Sequence, residues 1–327
     1  MMIKIAVIGT NVITDKFIDA LNQCEGLELY GVYSRNYDTG LAFGNKYGVN
    51  NIYTDINKLA DDGNVDGVYI ASPNSIHYSQ AKLMLSKGKH VLCEKTIVSN
   101  SRELEDIIKI AKENNVVLLE AMRSTFDDGF ISIQNNIHKL GKIRSVFFEY
   151  CQYSSRYDKY KNGIIENAFK QEFSNGALTD IGVYCVHPLV NLFGMPSDIK
   201  SFSQKLETGV DGSGTIIAKY DDMIATVSYS KISNGVIENQ IQGENGTMTI
   251  SKIADPDYVT IHYRNGEKEV IHNKKCDNNM IYEVREWKRL IENKEVSHKY
   301  MENSIMALKL MDKVRSDNCI VFPADNS

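Results

Sequence analysis

Along the first third of the chain, short apolar runs alternate with stretches in which apolar residues recur every three or four positions. Ile3 to Ile8 is almost continuously apolar, as in a strand covered on both faces, and Gly9 ends it before a helical pattern through Phe17, Ile18 and Leu21. Leu27 to Tyr33, Asp66 to Ala71, His90 to Cys93 and Val116 to Glu120 repeat the strand signal. The helix-compatible LAFGNKYG and a charged helix from Arg102 to Glu113 fall between them. Alternation of this kind predicts an α/β region built on a doubly wound parallel sheet. After about Phe130 the period changes. Ile143 to Tyr150, Thr215 to Tyr220, Ile224 to Ser230, Val236 to Gln242 and Thr247 to Ile250 read as strands, with turns at Asn234-Gly235, Glu244-Asn245-Gly246 and Asn265-Gly266.

Composition narrows the class. A chain of 327 residues fits two cores with a cleft between them, and its 43% apolar and 24% charged residues are those of a globular protein with no run of membrane-spanning length. A net charge of -5 supplies no broad basic field, so nucleic acid is not the expected partner. The six cysteines are scattered without a CxxC pair, against a disulfide framework or a zinc cluster. The seven histidines show no HxH or HExxH spacing, so no metal site is expected. The opening MMIKIAVIGT enters a strand pattern without an export signal, and a reducing cytoplasm is the expected location.

In a doubly wound sheet a dinucleotide lies across the carboxyl ends of the strands, its pyrophosphate at the amino end of the first helix. Gly9, Thr10, Asn11 and Val12 occupy that turn, with Asn11 in the second glycine's place and Thr14 near the third. Asparagine tolerates a left-handed backbone, which would preserve the turn. The second strand ends Tyr33-Ser34-Arg35, a hydroxyl and a guanidinium where an NAD site carries an acidic residue, so NADP(H) is expected over NAD(H). Asp38 is the alternative, as a ribose acceptor for NAD(H). Farther on, GALTDIGVYCVH spaces Asp180, Tyr184 and His187 four and three apart, on one face of a helix. They read either as proton-carrying groups or as a cap, a half-buried aromatic and a core histidine.

The degraded turn Gly9 to Thr14, Ala71-Ser72-Pro73-Asn74 with His77, Cys93-Glu94-Lys95, Glu120-Ala121-Met122-Arg123 and Gly176 to His187, in this order and spacing, resemble the glucose-fructose oxidoreductase, inositol dehydrogenase and rhizopine-catabolism (Gfo/Idh/MocA) family. The likeness is greatest to its dihydrodiol dehydrogenase and NADP-dependent sugar oxidoreductase branch. The resemblance implies a Rossmann domain over residues 1–122. It also implies an α+β domain over 123–327 whose open, mostly antiparallel sheet carries helices on one face, for substrate binding and pairing into a homodimer or higher assembly.

The implied activity is hydride transfer between a nicotinamide and a carbinol or carbonyl carbon of a sugar, polyol or vicinal diol. Lys95 matches the family's lysine beside the reacting oxygen. Asp180 matches an aspartate that orients Lys95 or binds a substrate hydroxyl, and Tyr184 stands where relatives carry a proton donor or acceptor. His187 ranks second for that role. Ser72, Pro73, Asn74, His77 and Glu94 fall beside the dinucleotide. Arg123, Tyr153 and Arg156, with Tyr157 and Tyr160, lie in segments able to bind substrate. Thr96 replaces the family's usual proline, whose preceding bond is commonly cis; without proline a cis bond costs about 3 kcal/mol, so trans and cis both remain open. The alternative function is a non-catalytic sensor of dinucleotide or sugar.

Overall fold

The computed structural model describes residues 2–274 and 276–326. Two compact units emerge, Met1–Arg123 with Cys276–Glu302, and Ser124–Lys275 with Asn303–Ser327.

The first unit alternates as its periodicity predicts: β1 (Ile3–Ile8), α1 (Val12–Asn22), β2 (Leu27–Tyr33), α2 (Tyr37–Tyr47), β3 (Asn51–Tyr53), α3 (Ile56–Asp61), β4 (Gly67–Ile70), α4 (Asn74–Ser86), β5 (His90–Glu94), α5 (Ser101–Glu113) and β6 (Leu118–Ala121). The six strands run parallel in the order β3-β2-β1-β4-β5-β6. The order reverses at β1 and β4, the point at which such sheets open a crevice at their carboxyl ends.

The second unit follows with α6 (Asp128–Asn136), β7 (Ile143–Cys151), α7 (Ser155–Lys161), a π-helical turn at Leu178–Gly182 that runs into α8 (Val183–Phe193), then β8 (Asp198–Lys205), β9 (Asp211–Lys219), β10 (Ile224–Ser230), β11 (Asn239–Gly243), β12 (Gly246–Ile250), β13 (Tyr258–Tyr263) and β14 (Lys268–His272). Its eight-stranded sheet has the order β14-β13-β12-β11-β7-β10-β9-β8, antiparallel except where β10 joins β7. The strand predicted over Val236 to Gln242 begins only at Asn239, whose side-chain oxygen accepts from the Glu149 N–H at 2.6 Å. Val236 and Ile237 stay in the preceding loop, 96% and 58% exposed.

A boundary at 122/123 with everything after it in one domain needs one correction. Helix α9 (Met280–Glu292) returns to the first unit, and α10 (Lys299–Asp317) begins there. Among the contacts that hold the return, Asn278 Nδ2 donates to the Lys16 carbonyl at 2.7 Å, and Arg123 donates to Asn279 Oδ1 at 3.0 Å. Trp287 of α9, fully buried, fills the space left by Gly67, where a Cβ would come within 3.0 Å of its ring. Replacing Trp287 by Ala should destabilise the first unit by about 4 kcal/mol, a loss readable as a lowered urea midpoint. Trp287 is the chain's single tryptophan, so its emission in the unmodified protein reports that unit's unfolding.

Candidate functional site

At the reversal point of the parallel sheet lies a cavity of about 350 Å³. Its lining brings together seven of the residues singled out for a dinucleotide, namely Gly9, Thr10, Asn11, Ser34, Arg35, Ser72 and Pro73. Asn36, Thr39, Ile76 and Gln80 line it too, although the sequence did not single them out. Ser72 Oγ donates to Gln80 Oε1 at 2.7 Å, tying the β4–α4 turn to the helix that follows. Asp38, the alternative ribose acceptor, is not part of this lining.

Gly9 has φ +117, and a Cβ there would stand 2.9 Å from the Ala71 carbonyl oxygen, so the turn requires glycine. Asn11 serves for a different reason than tolerance of a left-handed backbone. Its backbone is extended, with φ -97 and ψ 176, and its side-chain oxygen caps α1 by accepting from Ile13 N–H at 3.0 Å and Thr14 N–H at 3.2 Å. The same side chain donates to the Ala71 carbonyl at 2.8 Å, bridging the ends of β1 and β4. The Gly9–Asn11 turn and the Arg35 guanidinium thus line one cavity, which fits a phosphorylated dinucleotide.

Val12, Asn74, His77, Glu94 and Lys95 lie outside the cavity lining. Val12 is the exposed first residue of α1 and Asn74 the first of α4. His77, expected beside the dinucleotide, serves as a clamp between two turns. It is fully buried, with Nε2 2.8 Å from the Ser72 carbonyl and Nδ1 3.1 Å from the Thr96 carbonyl, so it joins the Ser72 turn to the Lys95 turn. Burial holds its pKa below the ordinary histidine value.

The Lys95–Thr96 peptide bond is cis. Beside it, Ile97 N–H donates to Glu120 Oε1 at 3.0 Å, and Lys95 N–H donates to Glu94 Oε2 at 3.3 Å. Glu94 also accepts from the Tyr69 hydroxyl at 2.5 Å. Its pKa is raised by burial, against the pull of Tyr69, Lys95 and Arg123. Glu283 of α9, fully buried, is pushed far above the carboxylate range by burial and then by Glu94, with Arg123 opposing. Arg123, named for substrate, therefore acts as counter-charge to two buried carboxyls in this unit. A tyrosine inside an apolar strand, and glutamates at the ends of neighbouring strands, were the available signals for this cluster.

In the second unit the segment carrying Asp180, Tyr184 and His187 begins as a π turn, a widened geometry recurrent at functional sites. Exposure falls along it: a third of the Asp180 side chain is open, Tyr184 is 9% exposed and His187 only 3%. The Tyr184 ring meets Tyr150 edge-on at 5.8 Å. The start of the segment is pinned by Asp211, which accepts from Leu178 N–H at 2.8 Å and whose pKa burial raises to about 6. Asp180 pairs with Lys231, a buried lysine that the sequence reading passed over. Tyr153 and Arg156 flank the start of α7, with the Tyr153 hydroxyl on Asp158 at 2.7 Å and Arg156 Nε 3.4 Å from Glu166.

Comparison with known proteins agrees with this architecture. Residues 3–122 match the model of the oxidoreductase family with an NAD-binding Rossmann fold, and residues 137–249 match the GFO/IDH/MocA C-terminal domain. The chain is 44% identical to scyllo-inositol 2-dehydrogenase (NADP(+)) IolU of Bacillus subtilis, with all of both chains covered. It is 24% identical to trans-1,2-dihydrobenzene-1,2-diol dehydrogenase of Xenopus tropicalis, over 99% of this chain and 100% of that one. Among solved structures, KijD10, a 3-ketoreductase from Actinomadura kijaniata in complex with NADP and TDP-benzene, superposes with a TM-score of 0.85 at 20% identity, covering 97% of this chain and 98% of that one. From the parallel sheet with its Gly9 turn to the mostly antiparallel second sheet, this chain belongs to the Gfo/Idh/MocA oxidoreductase family.

Proposed function

We propose that this protein is an NADP(H)-dependent dehydrogenase acting on a ring CH–OH group of an inositol or a related polyol. The observation that carries the reading is end-to-end 44% identity to an NADP(+)-dependent scyllo-inositol 2-dehydrogenase, in a chain that has Lys95, Asp180 and Tyr184. Arg35 in the lining of the β1–β4 cavity supports the phosphorylated cofactor.

A bound nicotinamide dinucleotide supplies the hydride chemistry. The chain's own work is to orient the substrate and move one proton. The Tyr184 hydroxyl exchanges the proton with the substrate oxygen, the Lys95 ammonium stabilises the alkoxide charge that develops there, and Asp180 accepts a hydrogen bond from a neighbouring hydroxyl. Tyr184 is preferred to His187 because His187 is the more buried of the two. Ranking inositols, aldoses and acyclic vicinal diols by kcat/KM with NADP+ tests the substrate class. Inositols should lead, and a tenfold preference for acyclic diols would overturn that part of the reading.

The assembly is proposed to be a homo-oligomer formed through the second sheet. Phe202, Ile217 and Ile224, on adjacent strands and one face by register, are 84%, 51% and 55% exposed. Light scattering should show a dimer or larger species, and Phe202→Lys with Ile217→Lys should shift it to monomer; a monomeric unmodified protein would refute the proposal.

A further inference from the structure

Behind the segment that carries Tyr184 stands a lysine without an assigned role. Lys231 follows β10, and its backbone is fixed on both sides: its N–H donates to the Gly212 carbonyl at 2.8 Å and its carbonyl accepts from Ser154 N–H at 2.9 Å. Its side chain is only 5% exposed. The ammonium donates to the Asp180 carboxylate and lies 5.5 Å from the centroid of the Phe169 ring. That ring is itself held from behind by Tyr157 and Tyr160 of α7, at 5.9 and 5.5 Å between centroids.

The pair is asymmetric. An ammonium this deeply buried requires a counter-charge, since leaving it unpaired is costly. Asp180, with 33% of its side chain open, can be hydrated without help. What the carboxylate gains from Lys231 is a fixed direction and a bias toward its ionised form. Titratable groups packed on this segment among the described residues include Asp211, on the Leu178 N–H, Tyr229, whose ring sits against Gly182, and Tyr150 of β7, edge-on to Tyr184.

We propose that Lys231 is a positioning residue for the reaction, holding the Asp180 carboxylate ionised and aimed one turn ahead of Tyr184 from behind the helix. The proposal rests on the reading of Asp180 and Tyr184 as groups that meet the substrate.

Two readouts test it together. In steady-state kinetics, Lys231→Met should lower kcat by about 10²-fold, with a smaller change in KM. It should also move the acidic limb of the kcat/KM profile upward by about one pH unit, because Asp180 without its cation keeps a proton to higher pH. Lys231→Arg, which restores the charge, should recover most of both. In thermal melts without substrate, Asp180→Asn should lower the midpoint more than Lys231→Met does. Adding Lys231→Met to Asp180→Asn should raise the midpoint again, since the stranded ammonium is then gone. Wild-type kcat and an unmoved acidic limb in Lys231→Met, alongside an impaired Asp180→Asn, would overturn this proposal alone. So would a double variant no more stable than Asp180→Asn. Full turnover in Asp180→Asn would instead overturn the reading beneath it.

Discussion

Replacing Tyr184 by Phe should reduce kcat by about 10²- to 10⁴-fold while leaving cofactor affinity and fold stability near those of the unmodified protein. The substitution removes one hydroxyl and keeps the ring, so the edge-on contact with Tyr150 at 5.8 Å persists. A loss of proton transfer would appear in kcat and kcat/KM together, since the interaction belongs to the transition state. His187→Asn is the informative comparison. His187 is 3% exposed and should act on stability more than on turnover, so its midpoint falls while its kcat stays within a few-fold. Single-turnover kinetics on both variants separate these outcomes, and near-full turnover in Tyr184→Phe would transfer the proton role elsewhere.

The second large effect concerns the cofactor. Arg35→Ala should weaken NADPH binding by about 10- to 100-fold, the equivalent of one or two charge-assisted hydrogen bonds. NADH binding should be almost unchanged, because its adenosine ribose carries no phosphate for a guanidinium to grip. The preference therefore collapses through one ligand only. Arg35 is exposed in the cavity lining and caps no helix, so the melting midpoint should not move. Titration of the two reduced cofactors by their fluorescence checks this, and an unmodified protein that binds NADH as tightly as NADPH would contradict it.

Much of the fold was written locally. Ile3 to Ile8, Leu27 to Tyr33 and Ile224 to Ser230 are strands with the bounds their patterns predict, because a strand buried on two faces or alternating over one leaves a direct trace in sequence. Gly9 and the Ser34-Arg35 pair were legible for the same reason, since each sits at the end of a recognisable strand. What escaped depends on contacts distant in sequence. The return of α9 is secured by Asn278 against Lys16, a span of 262 residues that no local pattern encodes. That His77 clamps two turns together shows only in its two carbonyl partners. Asn11 was read through its backbone, whereas its side chain does the work. Lys231 resembles any lysine after a strand, and Glu283 any helix glutamate; burial alone distinguishes them.

Turnover by the unmodified protein is the most direct test of a dehydrogenase role. Absorbance at the reduced-nicotinamide band should rise when NADP+ is mixed with scyllo-inositol or a closely related inositol, and Lys95→Met should abolish the rise while still binding NADPH. Tight NADPH binding with no turnover of any inositol, sugar or vicinal diol, with either cofactor and in either direction, would contradict it and leave a dinucleotide sensor in place of an enzyme.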